Sequence, residues 1–167
     1  GQRRVGKSYM MKMIRDRKKA DNCNNIIFID KEKREFDNIQ TYQDLNDYIG
    51  EHFLSDKHNY ILIDEIQDIR EFERSNRSFR TEPNTDIIIT GSNARMLSNE
   101  LSTLIGGRYK EIYIQSLSYN EFLEFHQLSD NDEALALYIQ YGGLPGLAKI
   151  GLEEDDRSEE HTSELQS

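Results

Sequence analysis

Residues 59–68 read NYILIDEIQD. Four consecutive apolar residues, Tyr60, Ile61, Leu62 and Ile63, run into an acidic pair, Asp64 and Glu65. A short continuous apolar run is the pattern of a strand covered on both faces, as in a parallel sheet. A strand that delivers two carboxylates at its carboxyl edge is the Walker B arrangement. In that reading Asp64 holds Mg²⁺ through water. Glu65 polarises the attacking water, as a general base or by orientation.

The other half of such a site stands upstream. Residues 1–8 read GQRRVGKS, the GxxxxGK[ST] spacing of a phosphate-binding loop. Gly1 and Gly6 permit backbone angles and close approach that a Cβ would forbid. The loop, Gly1, Gln2, Arg3, Arg4, Val5 and Gly6, then turns its N–H groups toward phosphate oxygens. Lys7 reaches the β- and γ-phosphates of ATP, and Ser8 offers its hydroxyl to Mg²⁺. A helix should begin here, with its positive end facing the anion. Residues 9–19 contain no Gly or Pro and suit that helix. Met10, Met13 and Ile14 form its apolar stripe, and Lys12, Arg15, Lys18 and Lys19 form a solvated face. Each motif is short, but loop and acidic pair in this order describe one site.

Working outward on the other side, residues 86–90 read DIIIT and are followed by Gly91, Ser92 and Asn93. In P-loop ATPases whose glutamate sits beside Walker B, a neighbouring strand carries a polar residue at this height. That residue, sensor 1, touches the γ-phosphate or the attacking water. Ser92 is the first choice, with Thr90 and Asn93 behind it.

The remaining chain alternates strand and helix. Residues 26–30, IIFID, form another apolar run. Thr41 with Asp44 makes a capping box, followed by Leu45, Tyr48, Ile49 and Phe53 at helical spacing. Residues 69–79 read as a charged helix, and 82–85, with Pro83, as a loop. Residues 98–104 form a short helix ended by Gly106 and Gly107, and 111–115 alternate as a strand. Ser118 with Glu121 is a second capping box. Residues 132–141 form a last helix, ended by Gly142 and Gly143. This order predicts an α/β fold, a three-layer α/β/α P-loop NTPase with a mostly parallel sheet, binding nucleotide at the carboxyl edge of the strands.

At 167 residues the chain is one domain, and it carries a net charge of −10. Residues 153–167, with seven acids and one arginine, contribute −6, leaving −4 for the rest. That balance argues against a broad nucleic-acid-binding face. Cys23 is the one cysteine, so no internal disulfide forms, which suits a cytoplasmic protein. No stretch is apolar enough to span a membrane and no signal peptide is visible. His52, His58 and His126 lack ligand spacing and read as structural or solvated.

Both ends look cut. Residues 157–167, RSEEHTSELQS, match codon by codon the in-frame translation of a sequencing-library adaptor. They are expected to be an artefact with no part in the fold. At the other end the loop has no strand before it, so the first strand is expected to be missing. Its absence would leave strand edges unpaired.

RRVGKS, YILIDEIQDI, DIIITGSNARMLSNELSTLIGGRYKEI, LSYNEFLEF and YGGLPG together resemble the AAA-family P-loop ATPases of bacteria and archaea. The resemblance covers residues 1 to about 148. The subgroup often carries a second C-terminal domain. The resemblance implies an ASCE-type, five-stranded core with the loop strand in the middle. Residues 1–117 would be that core and residues 118–156 the start of a helical extension. It also implies that Arg108, in GGR, approaches the γ-phosphate as an arginine finger, in its own subunit or in a neighbour of a homo-oligomer. Gly142, Gly143 and Pro145 shape a turn. The winged-helix and C-terminal regions that would carry partner specificity do not follow in this sequence.

The leading expectation is Mg²⁺-dependent ATP hydrolysis driving a conformational change in a partner module. One alternative is a superfamily 1 helicase, whose acidic motif DEIQD resembles. Only 57 positions separate Lys7 from Asp64, little room for the domain such enzymes insert there. The other alternative is a switch that binds ATP and hardly turns it over.

Overall fold

The computed structural model describes residues 5–79, 81–91 and 110–146, apart from the side chains of 76 and 77. The described residues between 7 and 113 belong to one compact unit. Residues 114–146 belong to a second, which also takes in Val5 and Gly6.

The first unit is built on three parallel strands, β1 (Asn24–Asp30), β2 (His58–Asp64) and β3 (Thr85–Ile89), in the order β1-β2-β3. Pairing sets Ile27 against Ile61, Phe28 against Leu62 and Asp30 against Asp64, then Ile61 against Ile87 and Ile63 against Ile89. Strand side chains alternate between faces. Ile27, Ile29, Ile61 and Ile63 therefore enter one core, with Leu45 and Ile49 of helix α2 (Tyr42–His52) and Phe72 of helix α3 (Phe72–Phe79). Phe36, Ile39, Ile66 and Ile69 from the connections complete it. Helix α1 (Lys7–Lys19) packs on β1 and β2 from the other face, where Leu62 is fully buried. Ile61, Leu62 and Ile63 are thus all buried, which is why the run is continuous rather than alternating.

The strands and most helices lie where the sequence puts them, with three differences. In α1 the fully buried residue is Met11, and Met13 is 57 % exposed. The sheet-facing row runs Met11, Arg15, Lys18. The Arg15 guanidinium lies 5.2 Å from the Phe28 ring centre, and the Lys18 ammonium 4.6 Å from that of Tyr60. Lys18 also donates to the Tyr60 hydroxyl at 3.0 Å. These cations are sheet cover, not a solvated face: their aliphatic stems and charge-to-ring attraction do the work of an apolar stripe. Second, residues 69–79 are not one helix. A 3₁₀ turn, Ile66–Asp68, leads to an extended Arg70 that bridges Thr41, and Glu71 adopts φ 56 before α3 starts. Third, residues 111–115 form no strand; Ile112 and Tyr113 are each 67 % exposed. Alternation makes a strand only where a sheet edge accepts its backbone. The helix expected at 98–104 lies outside the described residues.

In the second unit, helix α4 (Tyr119–His126) is capped by Ser118 and Glu121, and helix α5 (Asp132–Tyr141) by Asn131. Phe122 packs against Tyr138 with ring centres 5.2 Å apart. Gly142 ends α5 at φ 67. Gly143 abuts the Leu117 backbone so closely that a Cβ would lie 1.9 Å from the Leu117 oxygen, and Leu117 N–H donates to Gly143 O at 2.7 Å. These glycines shape a turn, as expected. His126 sits between Phe122 and Phe125, and its burial holds its pKa below the ordinary value. Among the described residues no helix is long and apolar enough to cross a membrane.

Candidate nucleotide-binding site

The carboxyl edge of β2 is organised around Asp64, which is wholly buried. Its Oδ1 accepts from the Thr90 hydroxyl, at the end of β3. The same hydroxyl oxygen accepts from Glu65 N–H at 3.3 Å. Backbone bonds continue the β2–β3 pairing around it, Thr90 N–H to Ile63 O at 2.9 Å and Ile66 N–H to Thr90 O at 3.0 Å. One threonine side chain thereby serves both members of the acidic pair.

Asp64 Oδ2 is buried and has no hydrogen-bond partner among the described residues. A buried carboxylate oxygen left unpaired is costly. Fixed at one oxygen and open at the other, a carboxylate at a strand terminus has the hard-oxygen chemistry that a divalent cation or its bound water requires. The donor set fits Mg²⁺ on that observation.

Glu65 follows at φ 55 and ψ 51, in the left-handed region that few non-glycine residues adopt. The turn breaks the strand's alternation immediately after Asp64. The half-buried Glu65 carboxylate accepts through Oε2 from the Gln67 side-chain amide.

Lys7 and Ser8, both half-buried, open α1. Gly6, just before them, has φ +96 and open space where a Cβ would project, so its backbone angle alone requires glycine. The ring contacts of α1 give its direction. From Lys18 over Tyr60 to Arg15 over Phe28, the helix climbs toward the carboxyl edge of the sheet. Lys7 stands eight residues above Arg15, about 12 Å along the helix. Asp64 stands two residues above Leu62, the partner of Phe28, about 7 Å along the strand. The amino end of α1, with its first-turn N–H groups and positive dipole, thus lies at the edge that carries Asp64 and Glu65.

Of the residues proposed from sequence, Lys7, Ser8, Asp64, Glu65 and Thr90 share this edge of the first unit. Gly1, Gln2, Arg3, Arg4, Ser92, Asn93 and Arg108 lie outside the described residues, and Val5 is buried. Three residues escaped the sequence reading. Asp30 is 3 % exposed, stands in register with Asp64 and accepts from Glu32 N–H at 3.2 Å. The Lys31 ammonium donates to Phe36 O at 2.5 Å and Ile39 O at 2.8 Å, tying down the chain beside Asp30. Gln67 holds Glu65. Asp30 had a signal, since IIFID and ILID end alike on aspartate; Lys31 and Gln67 had none.

The sequence profile of the AAA domain matches residues 1–123. An uncharacterized protein of Haemophilus influenzae is 38 % identical over 154 residues, 88 % of this chain and 38 % of that protein. An uncharacterized protein of Methanocaldococcus jannaschii is 27 % identical over 161 residues, 90 % of this chain and 35 % of that protein. The chain therefore spans well under half the length of these relatives. Among solved structures, Cdc6p from Pyrobaculum aerophilum superposes with a TM-score of 0.52 at 14 % identity, over 81 % of this chain and 42 % of that one. At that identity the likeness concerns the fold.

Proposed function

The chain belongs to the AAA-domain family and has its α/β P-loop NTPase fold, and from that premise we propose that it binds ATP with Mg²⁺, hydrolyses it and drives a shape change in a partner module. The observation that carries this reading is the asymmetric state of Asp64, with Oδ1 held by Thr90 and Oδ2 buried without a partner among the described residues. Ser8 and Asp64 are the residues that would hold Mg²⁺. When bound, Mg²⁺ neutralises charge on the phosphate oxygens.

The remaining roles fall to the chain's own groups. Backbone N–H groups of the loop, from Gly1 to Gly6, cradle phosphate oxygens, and Lys7 adds a cation at the β- and γ-phosphates. Glu65 orients a water in line with the γ-phosphorus and accepts its proton at the carboxylate. The water oxygen forms a bond to phosphorus as the bond to the β–γ bridging oxygen breaks, and the leaving charge stays on ADP. Ser92, or Thr90 or Asn93 in its place, contacts the γ-phosphate, and Arg108 meets the charge that develops there.

Two variants test this. Lys7→Ala removes the cation and should weaken Mg-ATP binding at least tenfold, about 1.4 kcal/mol or more. Glu65→Gln should keep the wild-type Kd and lower phosphate release by two orders of magnitude or more, on the order of 3 kcal/mol in the barrier. Undiminished ATP affinity in Lys7→Ala rejects the loop assignment. Turnover unchanged in Glu65→Gln rejects Glu65 as the base, and a wild-type protein that binds without turnover is a switch.

A further inference from the structure

We propose that Gln67 is a positioning residue for Glu65, a neutral amide that sets the plane of the carboxylate that polarises the water; this rests on the ATPase reading above. The 3₁₀ turn Ile66–Asp68 fixes where Gln67 stands. Ile66 and Ile69 flank it, each 1 % exposed within the core. Ile66 N–H is bonded to Thr90 O, Asp68 N–H to Glu65 O at 3.2 Å and Ile69 N–H to Ile66 O at 3.0 Å. The turn is therefore locked to the ends of both β2 and β3, which fixes the Gln67 backbone beside Glu65.

The side chain follows the same logic. Gln67 Nε2 donates to Glu65 Oε2. Gln67 Oε1 is buried with no partner among the described residues. The opposite amide orientation would set an acceptor against the carboxylate, so Glu65 decides which way the amide points. A buried oxygen left unpaired is a cost that the Gln67–Glu65 bond offsets. The chemistry explains why an amide suits the place. A lysine or arginine would pair with Glu65 as a counter-ion and blunt a base. A carboxylate would repel it. An amide fixes one oxygen and brings no net charge.

The test uses Gln67→Met, nearly isosteric without the donor, and Gln67→Glu, isosteric with a second carboxylate. For each, Mg-ATP affinity, phosphate release and melting temperature are measured. Gln67→Met should keep Kd within about twofold while kcat falls about 10- to 100-fold, the scale set by misplacing a reacting group. Gln67→Glu should lower kcat further than Gln67→Met at a similar Kd, because a second carboxylate repels Glu65 instead of holding it. Wild-type kcat in Gln67→Met overturns the proposal. So does a loss of kcat in Gln67→Met that comes with an equal loss of Mg-ATP affinity or a collapsed melting temperature, which marks a purely structural glutamine. Loss of rate in Glu65→Gln together with either of those results sinks the Gln67 assignment and leaves the ATPase reading standing. Wild-type rate in Glu65→Gln removes Glu65 as the base and the Gln67 assignment with it, and leaves ATP hydrolysis itself standing.

Discussion

Thr90 shows how much one hydroxyl decides at the edge of this sheet. It donates to Asp64 and accepts from Glu65 N–H, so a single side chain stands between the proposed metal ligand and the proposed base. Its own position comes from backbone pairing with Ile63 and Ile66. Thr90→Val keeps the shape and removes both bonds, leaving a buried carboxylate oxygen and an amide without this partner. The expected cost is about 1–3 kcal/mol in unfolding free energy, read from urea melts. Thr90→Ser retains the hydroxyl and should recover most of that loss. Equal stability of the valine and wild-type proteins would mean the hydroxyl is not bonded as described. Thr90 is one of three sensor candidates in the sequence, and its observed partners also make it a brace for the acidic pair.

At the scale of elements, helix ends were the most legible feature. The capping box of α2 forms in full: Thr41 accepts from Asp44 N–H, and Asp44 accepts from Thr41 N–H at 2.8 Å. Thr41→Ala should destabilise the protein by about 1 kcal/mol. Asp44 adds a pH signature. The Thr41 hydroxyl, then the backbone N–H groups of Thr41 and Gln40, hold its pKa below the ordinary carboxylate value. A depressed folded pKa contributes stability that is present above the unfolded pKa, about 3.9, and is lost as pH falls through the folded value. Thr41→Ala should therefore shrink the gain in stability between acid and neutral pH, and urea melts in that range will show it. A parallel offset at every pH would mean that Asp44 is not the linked group. The strands were legible for a related reason. Buried parallel strands are runs of isoleucine and leucine, and their ends are polar because they reach the sheet edge. Residues 132–141 form the helix over the range that periodicity outlines. What stayed hidden depends on partners elsewhere in the chain. Arg15 and Lys18 look like surface residues until Phe28 and Tyr60 are set beneath them. Residues 111–115 look like a strand until no edge meets them. Asp64 and Glu65 could be picked out as a pair, but Gln67 could not, since an i,i+2 side-chain bond requires the left-handed turn at Glu65 that no local signal announces.

At the scale of the molecule, binding and folding should be coupled. The residues proposed for Mg-ATP stand at the ends of α1, β2 and β3, and those elements hold the fully buried Met11, Ile61 and Leu62. A ligand that grips these ends favours the folded state alone, by about 2.7 kcal/mol at a free concentration of 100 Kd. For a chain of this size each kcal/mol raises the melting temperature by about 2–4 °C, which makes the expected rise about 5–11 °C. ATP with Mg²⁺ should exceed ATP with a chelator, because Asp64 and Ser8 act through the cation. Lys7→Ala should lose most of the rise, and Glu65→Gln should keep it for longer because the nucleotide is not consumed. Hydrogen exchange adds location: protection should increase at the amides of Ile61, Leu62 and Ile63, at the centre of the sheet. An equal rise in Lys7→Ala would place the nucleotide away from the loop, and no rise at saturating Mg-ATP would separate the acidic edge of β2 from nucleotide binding altogether.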